Sequence, residues 1–158
     1  MQKGQILIEA ILALVVAVVI ISAISGAAIT SVNNSNYSRD QNLATDYARQ
    51  GIEVLKQQSE TNWTTFSSKA NGSYCLSSNN ILTSGSTCPP NVGSNNYFVR
   101  QVQIIKDSLR CGGVSGVTEV SITVSWADGK CASSSTTYCH QVSLNSCLAN
   151  IGGAPATP

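Results

Sequence analysis

The side chains that could take part in chemistry are few in this chain of 158 residues, and they are widely spaced. The single histidine, His140, excludes most multi-histidine metal sites, and the Asp and Glu residues of the second half are scattered rather than paired. The sequence contains no glycine-rich phosphate loop and no acidic calcium-type loop. It therefore predicts a protein that is not an enzyme, holds no cofactor and acts on no small-molecule substrate.

The six cysteines are the largest group of reactive side chains. They all follow the apolar N-terminal region, at positions Cys75, Cys88, Cys111, Cys131, Cys139 and Cys147. An even number of cysteines beyond a membrane segment predicts disulfides in an oxidising compartment. Many pairings are open, and we take sequential pairing as the expectation: Cys75–Cys88, Cys111–Cys131 and Cys139–Cys147. A zinc site is the alternative, but the sequence has no close C-x-x-C pair, and we predict no metal.

Charge and hydropathy narrow the class of protein. The formal net charge is +1, and 11% of the residues are charged, where soluble domains carry about 25%. A near-neutral chain without a basic stripe lacks the electrostatic field that nucleic-acid binding uses. The apolar residues are concentrated near the start, and the rest of the chain is rich in Ser, Asn and Thr. This distribution favours an anchored, exported protein over a cytosolic enzyme.

The apolar block is long enough to cross a membrane. Residues 6–24 read ILIEAILALVVAVVIISAI, and the apolar character continues to Ile29. Because a helix rises 1.5 Å per residue, about 20 such residues span the roughly 30 Å hydrocarbon core of a bilayer. Lys3 precedes the block, so we expect the N-terminus in the cytoplasm and the body of the chain outside. The alternative is a cleavable secretory signal with its site near residues 25–27, although the block exceeds the usual apolar length of such signals.

The acidic residue inside this block, Glu9, needs an explanation. A carboxylate in a spanning segment costs up to a few kcal/mol and marks a functional position by default. Its place close to the interface, at the positive end of the helix dipole, makes the charge tolerable. It does not explain why an otherwise apolar run should contain it.

Glu9 follows Gly4 by five positions, in the segment GQILIE. This arrangement resembles the N-terminus of type IV pilins and pseudopilins, in which a short basic leader ends in Gly and the mature helix has Glu at its fifth position. The resemblance implies that a prepilin peptidase cleaves between Gly4 and Gln5 and methylates the amine of Gln5. It also implies that Glu9 pairs with the amine of a neighbouring subunit and sets the register of assembly. The chain departs from the family in having Gln5 where Phe is usual, and Gly26 where many major pilins carry a helix-breaking Pro.

The region after the apolar block has a helical pattern. An apolar stripe at helical spacing comprises Ala44, Tyr47, Ala48, Gly51, Ile52 and Leu55. We expect this stripe to pack on the protein's own sheet, and a groove for a partner is the alternative. The segment ATDYARQGIEVLKQQSETNW is similar to the post-membrane helix of minor pilins of the type IV pilus modification group, and of secretion pseudopilins.

Strand patterns follow a Ser/Asn/Gly-rich stretch. Residues 63–96 lack an apolar period and are predicted to form a long surface loop. Residues 97–105 read as a strand, residues 120–126 alternate strictly between apolar and polar, and a third alternating run starts at Tyr138. The sequence therefore predicts an α+β fold, with a long N-terminal helix packed on an antiparallel sheet of three to four strands.

The chain accordingly divides into six segments. They are a prepilin leader (1–4), a transmembrane and filament-core helix (5–29), its extracytoplasmic continuation (30–62), the loop (63–96), a β-sheet head (97–151) and a flexible tail (152–158).

The resemblance implies a structural subunit, a minor pilin or pseudopilin, of a type IV pilus, a DNA-uptake pilus or a secretion pseudopilus. Its partners would be other pilin subunits, the prepilin peptidase, the pilus assembly platform and membrane lipid. It would lie in the cytoplasmic (inner) membrane with its head outside, and then in an extracellular pilus or a periplasmic pseudopilus.

The alternative is a membrane-anchored or secreted adhesion module outside any filament. Its disulfide-stapled head would contact surfaces, glycans or DNA through a concave aromatic or basic patch. The aromatic side chains available for such a patch are Trp63, Tyr74, Trp126 and Tyr138.

Overall fold

The computed structural model describes residues 2–93, 96–128, 131 and 138–150, with side chains described from Ile8 onward. Its elements are α1 (Gln2–Thr61), α2 (Trp63–Ser67), β1 (Gly72–Leu76), β2 (Leu82–Ser84), β3 (Val99–Lys106), β4 (Val117–Trp126) and β5 (His140–Ala149), with a 3₁₀ turn at Leu109–Cys111 between β3 and β4. The chain divides into two compact units, Met1–Asp40 and Gln41–Pro158. In the first unit the described residues are helical throughout, and the second unit holds the end of α1, α2 and all five strands.

The second unit is built on one antiparallel sheet with the strand order β2-β1-β3-β4-β5. The alternating residues of β4 point into the core as the sequence predicts: Val120, Ile122 and Val124 are fully buried, and Trp126 is 1% exposed. β3 pairs with β4 over its whole length, with Val102 opposite Ile122. A long helix followed by this sheet confirms the α+β class.

One face of the last part of α1 belongs to the same core. Ala44, Ala48 and Leu55 are fully buried, and Tyr47 and Ile52 pack against the buried cluster. The predicted apolar stripe therefore packs on the protein's own sheet, because small residues at three- and four-residue spacing let the helix lie close to it.

α1 lies close to the sheet at Gly51. A Cβ atom added there would lie 2.7 Å from Ile122 Cδ1 and 3.3 Å from Arg100 Cδ. Real Cβ atoms do not approach other atoms as closely as the first of these distances, so a side chain at residue 51 would force the terminal methyl of the fully buried Ile122 to shift within the packed core.

Arg100 lies beside Gly51 on the core-facing side of β3, where it is 3% exposed. Its guanidinium donates to the carbonyl oxygens of Leu76 (3.3 Å), Tyr47 (3.3 Å) and Ser77 (2.7 Å), and also to Asn80 Oδ1 (3.4 Å). Desolvation lowers the pKa of Arg100 from its ordinary value. Its hydrogen bonds offset part of the cost of burial and tie α1 to the end of β1 and the turn that follows.

The stretch 63–96, predicted to be a loop, contains α2, β1 and β2. The sheet consequently has five strands rather than three or four. The sequence of β1, GSYCL, has no apolar alternation and therefore did not predict a strand. Its strand conformation comes from backbone pairing with β3 on one side and β2 on the other. Leu76 at the end of β1 and Phe66 in α2 then complete the core, at 0% and 2% exposed.

Three disulfides cross-link the second unit. The bond Cys75–Cys88 confirms the first predicted pair, but the other two predicted pairs are wrong, since the structure joins Cys111 to Cys147 and Cys131 to Cys139.

The register of β5 explains the pairing of Cys147. This residue lies opposite Glu119 of β4. The buried Glu119 carboxylate accepts a hydrogen bond from Ser108 Oγ, just before the 3₁₀ turn, and Arg110 Nη1 lies 3.6 Å from it. The turn is thereby held over this end of the sheet, and Cys111 within it reaches Cys147.

The close approach at Gly51 predicts that Gly51→Ala destabilises the second unit. Alanine adds up to about 1 kcal/mol of helix propensity, but forcing atoms into a packed core costs about 1–3 kcal/mol, and the contact with Ile122 makes this packing cost outweigh the gain in propensity. We expect the free energy of unfolding to fall by about 1–2 kcal/mol. The measurement is urea unfolding of the chain in detergent, monitored by the fluorescence of the buried Trp126. Gly26→Ala is the matched control, because nothing lies within 4 Å of a Cβ added there. Equal stability of the two variants would contradict the packing argument.

Candidate functional site in the first helix

The first unit exposes a large apolar surface on α1. Every large hydrophobic side chain from Ile8 to Val32 is between 50% and 66% exposed. These side chains include runs of consecutive positions, so they cover all faces of the helix rather than one stripe. In the described part of the chain, this is one helix that is long and apolar enough to cross a membrane, and the apolar window is not buried by the protein. A surface of this kind is consistent with a single-pass membrane anchor.

The hydroxyl groups of this segment are satisfied within the helix. Ser22 Oγ donates to the Val18 carbonyl at 2.8 Å, and Ser25 Oγ donates to the Ile21 carbonyl at 2.8 Å. Thr30 Oγ1 makes the same bond to Gly26, at 3.0 Å. Such bonds to the preceding turn let hydroxyls enter lipid without an outside partner.

Glu9 is different, because an ionised carboxylate only accepts hydrogen bonds and cannot be satisfied by helical carbonyls. Its residue is exposed, and no hydrogen bond or ion pair joins its carboxylate to any of the residues whose side chains are described. Among the side chains described in the apolar segment, Glu9 is thus the charged one, and the carbonyl groups of the helix cannot serve as its partners.

The predicted cleavage residues lie at the start of the same helix. The backbone of Gly4 and Gln5 is helical, while their side chains lie outside the described part of the structure. Gln5 and Glu9 are four residues apart, so they lie on one face of α1, about 6 Å apart along its axis.

The head offers less support for a binding surface. Of the four aromatic residues available for a patch, Trp126 is in the core, Trp63 and Tyr74 pack against it, and Tyr138 packs against Cys75, Cys88 and Val99. A cavity of about 340 Å³ lies at the junction of α1 and α2, lined by Gln57, Phe66 and Lys69 among others. Its lining includes threonine hydroxyls and Lys69 but no His, Asp, Glu or Cys side chain.

The apolar segment predicts a specific response to added charge. Each Leu, Ile or Val contributes about −0.3 to −0.6 kcal/mol to insertion, and each central Arg costs about 2.5–3.5 kcal/mol. Val15→Arg combined with Val19→Arg should therefore cancel most of the insertion energy, and we expect the chain to lose its resistance to alkaline extraction from membranes. Val15→Leu with Val19→Leu is the matched control and should stay in the membrane fraction. Retention of the double-Arg variant would argue against a spanning helix.

Comparisons of the chain with protein-family models, with curated proteins and with solved structures found no match. The features that bear on function are thus those of the chain itself. They are an apolar helix with one carboxylate near its start, and a disulfide-linked head with a single antiparallel sheet.

Proposed function

We propose that the protein is a non-enzymatic subunit, a minor pilin or pseudopilin, of a type IV pilus-like filament. The observation that carries this proposal is the apolar surface of α1 together with Glu9, five residues after Gly4. Before assembly the surface lies in lipid and anchors the chain in the cytoplasmic membrane. In the filament the same surface packs against the helices of other copies, so one segment serves both states.

The physical role of Glu9 follows from the cost of its charge. An acidic residue at the centre of a spanning helix costs about 2.5–3.5 kcal/mol in insertion experiments, and Glu9, closer to the interface, costs less than that. An opposite charge about 4 Å away offers about 4 kcal/mol at an effective dielectric constant of 20, which is enough to offset that cost. Cleavage after Gly4 creates such a charge, the amine of Gln5, at the start of every copy.

The position of the pair sets the register between copies. Glu9 lies about 6 Å along the helix from Gln5, so a neighbour displaced by about one turn brings its amine level with this carboxylate. Pairing at other displacements leaves a charge unpaired in apolar surroundings, which is costly. The ion pair therefore selects one axial displacement out of the many that featureless apolar helices would allow.

The partners of the subunit follow from its cleavage, its extraction from lipid and its assembly with other copies. A prepilin peptidase removes residues 1–4 and methylates Gln5, an assembly platform extracts the subunit from lipid, and other subunits receive it. The head remains outside the membrane, where an oxidising compartment maintains its disulfides. Each disulfide stabilises the small sheet by about 2–4 kcal/mol, which matters for a domain of this size.

Processing provides the first test. We expect mass spectrometry of the protein from its native membrane to show a chain that begins at Gln5 and carries one methyl group. Gly4→Ala should leave residues 1–4 attached, because the peptidase requires Gly there, while Gly26→Ala should be processed as the parent. A start near Ala27 would instead indicate a secreted head outside any filament, and an intact leader in the parent protein would overturn the proposal.

Assembly provides a second, independent test. Glu9→Gln preserves side-chain volume and removes the charge, so insertion and cleavage should be unchanged while incorporation into filaments falls at least tenfold. The measurement is the ratio of the subunit in sheared filaments to that in the membrane fraction. Glu53→Gln, an exposed position further along α1, is the matched control and should assemble normally. Normal assembly of the Glu9 variant would remove the basis for the register.

A further inference from the structure

Four side chains with metal-binding atoms converge where β4 ends and β5 begins. They belong to Asp128, Cys131, Cys139 and His140, and one donor atom from each lies within 4.8 Å of the others. His140 Nε2 lies 3.2 Å from Asp128 Oδ2. Among the described residues, no other group of three or more His, Cys, Asp or Glu side chains converges in this way. The sequence did not suggest this cluster, because Asp128 reads as a turn residue and the cysteines have no close C-x-x-C spacing.

The sheet fixes the positions of these donors. His140 is the first residue of β5 and pairs with Trp126, the last residue of β4. The indole and imidazole rings lie 5.4 Å apart and are inclined by 32°, so Trp126 restricts the orientation of His140. The Cys131 backbone N–H donates to the Asp128 carbonyl at 3.2 Å, which holds that cysteine beside the aspartate. His140 is thus anchored by the start of a strand, and Cys131 by a turn.

The oxidation state of the cysteines decides how many ligands the cluster offers. As a disulfide, Cys131 and Cys139 provide no thiolate, and a thiolate is the form of cysteine that binds metal. As a dithiol, the same residues complete a set of two sulfurs, one nitrogen and one carboxylate oxygen. Tetrahedral zinc places such donors roughly 3.3–3.8 Å apart. The His140–Asp128 distance is already close to this range, while the two sulfurs, which are bonded to each other in the disulfide, need to separate.

We propose that the dithiol form of this cluster is a binding site for a thiophilic divalent cation of the zinc class. Cys131 Sγ, Cys139 Sγ, a His140 ring nitrogen and an Asp128 carboxylate oxygen are the four ligands. The cation closes the connection between β4 and β5 as the disulfide does, so the end of the sheet keeps a cross-link in both oxidation states. This site goes beyond the filament function and does not depend on it.

The exchange between the two forms is balanced in electrons and protons. A dithiol reductant gives two electrons and two protons to the Cys131–Cys139 disulfide and becomes a cyclic disulfide itself. The cation then binds as the two thiols release two protons. In the reverse direction a disulfide-class oxidant removes two electrons from the two thiolates, the S–S bond forms again, and the cation leaves.

The test uses the full chain in detergent, reduced by a water-soluble phosphine, which becomes a phosphine oxide with oxygen from water. Zinc(II) is added, the thiols are alkylated with iodoacetamide, and the rate at each cysteine is read by peptide mass spectrometry. We expect zinc to slow alkylation of Cys131 and Cys139 at least tenfold. The other four cysteines should react at the same rates with and without zinc, and the oxidised chain should bind no zinc.

Variants separate a built site from nonspecific binding by thiols. In the presence of zinc, His140→Ala and Asp128→Asn should each raise the alkylation rates of Cys131 and Cys139 at least tenfold above those of the parent chain. Asp46→Asn, at an exposed helical position, should leave these rates unchanged. Cobalt(II) bound to the reduced parent chain should show the absorption of a tetrahedral thiolate complex. Equal protection of all six cysteines, protection of none, or protection insensitive to both cluster variants would overturn the proposal. Loss of the sheet's circular dichroism on reduction, with no recovery on adding zinc, would also overturn it.

Discussion

The structure depends on how α1 meets two different surroundings within one continuous helix. From Ile8 to Val32 its large side chains are apolar on all faces and exposed, so this part is stable only among other apolar groups. From Ala44 onward one face is buried in the core and the opposite face is polar. Because a helix satisfies its own backbone hydrogen bonds, a single element can pass from one regime to the other with only its side chains changing. The boundary between the two compact units, after Asp40, lies between these two parts of the helix.

Two features hold the sheet of the head against the last part of α1: a glycine that allows close approach, and a buried arginine that donates hydrogen bonds. Gly51 allows the helix to lie close to Ile122, and Arg100 fills the space beside it while bonding to backbone oxygens of three segments. A hydrophobic residue at position 100 would contribute apolar burial but would remove these hydrogen bonds, and a hydrogen bond that involves a charged group typically contributes about 1.5–3 kcal/mol. Two of the disulfides join a strand of the sheet to a residue outside the strands, Cys75 of β1 to Cys88 and Cys147 of β5 to Cys111. The cross-links therefore tie the connecting segments to the packed sheet.

The sequence predicted those features that repeat at a regular period. The stripe on α1 and the alternation in β4 were visible because each is long and faces one core. β1 was missed since its pairing is made by backbone groups, and Arg100 was missed because a charged residue in a strand normally faces solvent. The pairing of Cys147 with Cys111 depends on which residues the register of β5 places beside the 3₁₀ turn, and no local pattern encodes that register. For the same reason the meeting of Asp128 with His140 could not be foreseen: it is set by where two strands end.

Arg100 and Glu9 contrast in how the chain provides partners for their charges. Arg100 is provided with acceptors by its own chain, so its burial is settled once the head folds. Glu9 has no such partner among the residues with described side chains. The hydroxyl groups of Ser22, Ser25 and Thr30, in contrast, donate to backbone carbonyls of the same helix. A charge that folding leaves unpaired in an apolar surface favours any process that supplies its counterion. If that counterion is the cleaved end of another copy, the cost of the unpaired Glu9 charge is removed when two copies pair, and this gain favours ordered association.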